Sequence, residues 1–155
     1  MIEVSLKVKK RDVYEEIEKI TEYTGAKKEG EEGSYNRIRV TREDYLALER
    51  FWREACDDAT SSMTPYLKSV SDNPVTTGVN LDNDYEVILN MSSVFDNNLE
   101  KSISDSLFSY FVNSIISNWY KLTNKDEAET AAAEAVSMLA DVMRKIVYKK
   151  APERP

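Results

Sequence analysis

Glu54, Asp57 and Asp58 fall within about one turn of a helix-periodic stretch, a spacing at which carboxylates can share a divalent cation. Carboxylate-bridged metal sites in helical bundles also use Glu-x-x-His pairs, and this chain has no histidine. The three acids therefore read as a solvated helix face. Asp82-Asn83-Asp84-Tyr85-Glu86 begins like a calcium loop. It places Val87 where the loop needs glycine and Ser93 where it needs a bidentate glutamate, so it reads as a polar lead-in to a strand. Without histidine, Ser-His-Asp and Cys-His arrangements are impossible. Cys56, the single cysteine, sits on an apolar helical stripe as a small core residue and allows no internal disulfide. None of the glycines (Gly25, Gly30, Gly33, Gly78) fits a phosphate-binding loop. Asn90-Met91-Ser92 matches a glycosylation sequon with no secretion signal beside it. Phe51-Trp52 and Trp119-Tyr120 could line a pocket or stack on bases, but both pairs lie along apolar stripes and read as core. No enzyme activity and no cofactor is expected.

The elements that hold these residues follow from periodicity. Ile2, Val4, Leu6 and Val8 alternate with polar residues and predict a strand; Tyr85, Val87, Leu89 and Met91 predict a second, and the two are expected to pair. Asp12 with Glu15 predicts a helix start, Val13, Ile17 and Ile20 its apolar stripe, and Thr24-Gly25 its end. Residues 26–34 and 69–83 read as loops, and Tyr35 to Val40 as a short extended piece. Thr41 with Asp44 opens a helix carrying Tyr45, Leu48, Phe51, Trp52, Ala55, Cys56, Ala59 and Met63, which Pro65 should kink or end.

The last third predicts two long helices in a hairpin. Ser92 or Ser93 opens the first and Thr123 or Asn124 separates them. Ser106 to Tyr120 has no charged residue, in a chain that is 32% charged, so that helix must be covered over most of its circumference. Its apolar arc combines Ile103, Leu107, Phe111, Ile115, Trp119 and Leu122 with Phe108, Val112 and Ile116. The final helix uses Ala128, Ala132, Ala135, Val136, Leu139, Met143, Ile146 and Val147.

Opposite the arc, Ser102, Ser106, Ser109, Asn113 and Ser117 form a small, polar, uncharged stripe. It is a candidate interface met closely by another helix, or else an exposed face that uses serine. Arg144, Lys145, Lys149, Lys150 and Arg154 form a basic end, with residues 151–155 as a tail, and are candidate contacts for partners. The net charge of −7 argues against broad nucleic-acid binding. No apolar run is long enough to span a membrane. The fold expected is a single, mainly α domain, a bundle of about four helices with a C-terminal antiparallel hairpin and a small two-stranded β element.

Three segments add a resemblance: Thr21-Glu22-Tyr23-Thr24-Gly25-Ala26-Lys27, Leu48-Glu49-Arg50-Phe51-Trp52-Arg53-Glu54-Ala55 and Val147-Tyr148-Lys149-Lys150-Ala151-Pro152. They resemble small structural, morphogenesis proteins of tailed phages and prophages. The resemblance implies a non-enzymatic virion assembly subunit, of head–tail connector or tail-completion type. It implies partners that are copies of itself, in a ring or other homo-oligomer, and other structural proteins. Neither a membrane nor sequence-specific nucleic acid is an expected partner. The expected location is the cytoplasm or a particle assembled there. The alternative is a small cytoplasmic adaptor or regulatory module that binds a partner protein in a groove between helices.

Overall fold

The computed structural model describes residues 2–27, 34–71 and 78–148. Within them, β1 (Ile2–Val8) is followed by α1 (Lys10–Lys27), α2 (Ser34–Ile38), α3 (Tyr45–Met63), β2 (Leu67–Val70), β3 (Tyr85–Met91), α4 (Glu100–Thr123) and α5 (Lys125–Val147). The fold is mainly α, with a long C-terminal helical hairpin.

The sheet has three strands in the order β1-β3-β2, all antiparallel, rather than the two expected. β1 and β3 pair from Ile2↔Met91 to Val8↔Tyr85, as their alternation requires. β2 occupies Ser69 and Val70 of the expected second loop and pairs with β3 through a register shift between Leu67 and Ser69. Its side chains are largely exposed and carry no alternating apolar signal, so backbone pairing alone defines it. One sheet face buries Val4, Leu6, Val8, Tyr85, Val87, Leu89 and Met91 in the core shared with the helices. The other carries an exposed ladder in which Lys68 pairs with Glu3 and Lys7 pairs with Glu86 at 3.2 Å.

α4 runs through the middle of the molecule. Phe111 has ring-centroid distances of 4.9 Å to Trp52, 5.1 Å to Tyr85 and 5.8 Å to Tyr110. It thereby joins α3, β3 and α4. Covering by the rest of its own chain explains why Ser106 to Tyr120 tolerates no charge. Leu122 departs from the expected arc, being 70% exposed at the last turn.

Several local expectations give way to tertiary contacts. α1 begins at Lys10 rather than Asp12, because Asp84 supplies the cap: its Oδ1 accepts the Lys10 backbone N–H at 3.0 Å. α1 also runs through Gly25 to Lys27. A Cβ on Gly25 would lie 3.2 Å from Tyr35 Cα and O, so this glycine allows α2 to approach and does not stop the helix. Ala26, Lys27 and Ser34 are consequently helical, and residues 28–33 of the expected loop lie outside the described residues.

Tyr35 to Ile38 is helical rather than extended, held by α4: Trp119 Nε1 donates to the Ile38 carbonyl at 2.6 Å. α4 starts at Glu100, not at Ser92 or Ser93. The Ser92 carbonyl accepts from Phe95 N–H at 2.9 Å in a turn, and Asp96 caps the short 3-10 turn Asn97–Leu99 that leads into the helix.

Two punctuation marks are found where expected. Asp44 Oδ2 accepts from Thr41 N–H at 2.9 Å at the entry to α3, and α3 ends at Met63 just before Pro65. Among the described residues no helix is long and apolar enough to cross a membrane.

Candidate functional site

The Ser/Asn stripe does not behave as one surface. Ser102 and Ser106 face the chain's own α5. Ser106 Oγ donates to Asp141 Oδ2 at 2.7 Å, and Lys145 Nζ donates to Ser102 Oγ at 2.6 Å and to Ser106 Oγ at 3.1 Å. Lys145 and Asp141 also form an ion pair at 2.6 Å, and Arg144 closes on Asp141 from outside. Further along, the polar groups fold back on their own helix: Asn113 Nδ2 donates to the Ser109 carbonyl at 2.9 Å and Ser117 Oγ to the Ser114 carbonyl at 2.9 Å. Ser106 and Ser117 are buried, while Ser102, Ser109 and Asn113 are half-buried. The basic end divides in the same way. Arg144 and Lys145 are engaged within the chain, and Lys149, Lys150 and Arg154 lie outside the described residues.

Hydrogen bonds from Lys145 and then Ser106 hold the Asp141 carboxyl below its ordinary value of 3.8. A depressed folded value stabilises the α4–α5 hairpin above the unfolded value, and that contribution is lost as pH falls through the folded one. Asp141→Asn is therefore expected to lower the melting temperature near neutral pH. The gap to wild type should close as pH drops below about 3.8. A gap that is constant with pH, measured by thermal unfolding, would mean that the carboxylate charge does not contribute.

A groove of about 690 Å³ opens between α3, α4 and α5. Glu54, Asp58, Ser61 and Ser62 of α3 line one wall. Tyr110, Ser114, Ser117 and Asn118 of α4 contribute further lining, and the α5 wall is apolar, with Ala132, Val136, Leu139 and Met143. A second recess of about 520 Å³, lined by Lys121, Lys125, Ala128, Glu129 and Ala132, adjoins it at the α4–α5 turn. The α5 wall corrects the sequence reading, which counted Val136 and Val147 with the core stripe of the last helix. The inward face of α5 is Ala128, Ala131, Ala135, Val142 and Ile146; Val136 is 71% exposed and Val147 53%. Simple periodicity merged two apolar faces into one.

The residues with chemical potential are put to structural use. Glu54 sits 3.4 Å from Arg50, and Asp57 and Asp58 are exposed on the same helix. Asp82 pairs with Arg11 at 3.3 Å, while Asp84 caps α1 and reaches Lys7 at 3.6 Å, so the would-be calcium segment ties β3 to the N-terminal elements. Burial pushes the Cys56 thiol far up, the opposite of what a nucleophile needs. Trp52 and Trp119 are buried, and Tyr120 donates its hydroxyl to Thr24 Oγ1 at 3.0 Å.

One cluster escaped the sequence reading. Lys10 is 1% exposed. Its Nζ lies 2.9 and 3.1 Å from the two Glu49 oxygens and 5.3 Å from the Trp52 ring centroid. Tyr14 donates to Glu49 Oε1 at 2.9 Å, and burial followed by the Glu49 charge pushes its hydroxyl far above the ordinary range. A faint signal existed. Lys10 stands three residues before Val13 and seven before Ile17, and Glu49 lies between Tyr45 and Trp52 at helical spacing, so both occupy core-facing registers.

Compared with protein-family models, with curated proteins and with solved structures, the chain matches none.

Proposed function

We propose that this protein is a non-enzymatic assembly subunit that works by docking a partner protein against the groove between α3, α4 and α5, within a phage or prophage particle. The observation that carries the docking reading is the outward-turned apolar wall of α5, where Val136 stays 71% exposed at the mouth of a 690 Å³ groove. A contiguous apolar wall, here Ala132, Val136, Leu139 and Met143, beside a polar rim has the make-up of surfaces that associate. The particle setting rests on the resemblance of the three sequence segments to phage morphogenesis proteins. The burial of Lys10 and Tyr14 and their hydrogen bonds to the half-buried Glu49 support a scaffolding role for the groups that would otherwise be candidates for chemistry.

A photo-cross-linking amino acid at Leu139, introduced in cells that carry the gene, tests this reading. Adducts with particle proteins or with the chain itself are expected, and the same probe at Thr130, exposed on α5 outside the groove, serves as the background. No adduct above that background, or adducts only with proteins unrelated to a particle, would overturn it.

A further inference from the structure

We propose that β1 pairs antiparallel with β1 of a second copy about a two-fold axis at Ser5, which joins two three-stranded sheets into one of six strands. No β1 residue lines the α3–α4–α5 groove, so this contact goes beyond the docking reading.

The order β1-β3-β2 leaves β1 and β2 as the edges of the sheet. An edge strand presents unpaired backbone N–H and C=O groups to any strand that matches it, and native edges are usually blunted by short strands, bulges or inward charges. β2 is blunted in this way: it has four residues and shifts register between Leu67 and Ser69. β1 is not. It has seven residues in unbroken register with β3, no proline or glycine, and Val4, Leu6 and Val8 on its inner face.

The residues along β1 say what fits that edge. About Ser5, the run Ile2-Glu3-Val4-Ser5-Leu6-Lys7-Val8 is self-complementary. An antiparallel second copy sets Ile2 against Val8 and Val4 against Leu6 on the inner face, and Glu3 against Lys7 on the outer one. Each match occurs twice, as a two-fold interface requires. A shift of two residues either way would put Glu3 or Lys7 against Ser5, and a shift of one would turn the apolar side chains to the wrong face.

The ion pairs within the chain extend into this arrangement. Lys7 meets Glu86 at 3.2 Å and Asp84 at 3.6 Å, and Glu3 meets Lys68, all on the β3 side. Lys7 and Glu3 remain half-exposed. A residue inside a sheet has a cross-strand neighbour on each side, and the second copy supplies the one that an edge lacks. Across the joined sheet Glu86, Lys7, Glu3 of the second copy and Lys68 of the second copy then alternate in sign.

Seven residues at about 3.4 Å each give a contact ~24 Å long and one strand deep. Stable interfaces bury about 800 Å² per partner, so this contact makes a weak dimer whose population rises with concentration.

Two cysteine variants and two charge variants test the pairing. Ser5 on β1 and Ser69 on β2 are both exposed, and the native Cys56 is buried. At the axis the two Ser5 Cα atoms stand about 4.5–5.5 Å apart, within disulfide range. Thiols inside a formed pair react at a local effective concentration, so S5C should oxidise to a covalent dimer at least about tenfold faster than S69C. In light scattering, the wild-type mass should climb from one chain toward two with concentration. Glu3→Lys alone and Lys7→Glu alone each set like charges against one another twice per pair, and each should self-associate about tenfold more weakly. Mixing the two variants restores both unlike matches and should bring the mass back toward two chains. S5C oxidising no faster than S69C, a wild-type mass of one chain at every concentration, or a mixture no heavier than its components overturns the pairing. Neither charge variant touches the groove, so Leu139 adducts decide the docking reading by themselves.

Discussion

Lys10→Met is expected to cost about 3–5 kcal/mol, because it strands the Glu49 carboxylate in a nearly dry site beside Tyr14 and Trp52. The lost partner is not an exposed lysine worth a few tenths of a kcal/mol. Lys10 is 1% exposed, and its ammonium satisfies both Glu49 oxygens. The cost arises from desolvation without compensation rather than from a strong native attraction. The double change Lys10→Met with Glu49→Leu should therefore recover most of the loss. It leaves only the Tyr14 hydroxyl without its acceptor, a penalty of about 1–3 kcal/mol. Denaturant midpoints of the two single variants and the double variant measure this as a cycle. If the double variant is as unstable as the sum of the singles, stranded charge is not the cause. If Lys10→Met is neutral, the lysine is not held as described.

Phe111→Ala is expected to cost about 3–5 kcal/mol as well, by a different route. Its ring lies between Trp52, Tyr85 and Tyr110, so truncation removes the shared packing of two helices and the central strand at once. For a chain of this size the melting temperature should fall by about 10 °C. Trp52→Phe supplies the contrast. Trp52 Nε1 is buried with no hydrogen-bond partner among the described residues, so losing it forfeits volume but no hydrogen bond. Thermal unfolding should place Trp52→Phe well above Phe111→Ala. Equal melting temperatures would contradict the central position assigned to Phe111.

What could be read from the residues divides along physical lines. α4 was legible because fifteen consecutive uncharged residues at helical period have few alternatives to burial. The β1–β3 pair was legible because alternation fixes a strand's register. The misses are places where the deciding contact lies far along the chain. The α1 cap comes from Asp84, Gly25 answers to Tyr35, and α2 is held by Trp119. β2 was missed because it is held by backbone bonds and has almost no buried side chain. The position of the groove was missed for a third reason. Counting apolar positions on α5 gives their number but not how many of them one neighbouring helix can cover.

The pairing of β1 with β3 also constrains the order in which the molecule takes shape. β1 precedes the other described elements, yet within the chain it closes its ladder only with Tyr85–Met91. Leu67–Val70 lies beyond β3 from it, and the cap of α1 waits for Asp84. During synthesis the amino-terminal strand and the start of its helix must stay unpartnered until β3 has emerged. Loop-closure entropy has to be met before those non-local contacts contribute. α4 and α5, joined at Asn124 alone, need only each other to form a hairpin. Long-range contacts thus leave β1 unsecured while α1, α2 and α3 are already made, and secure it before α4 and α5 follow.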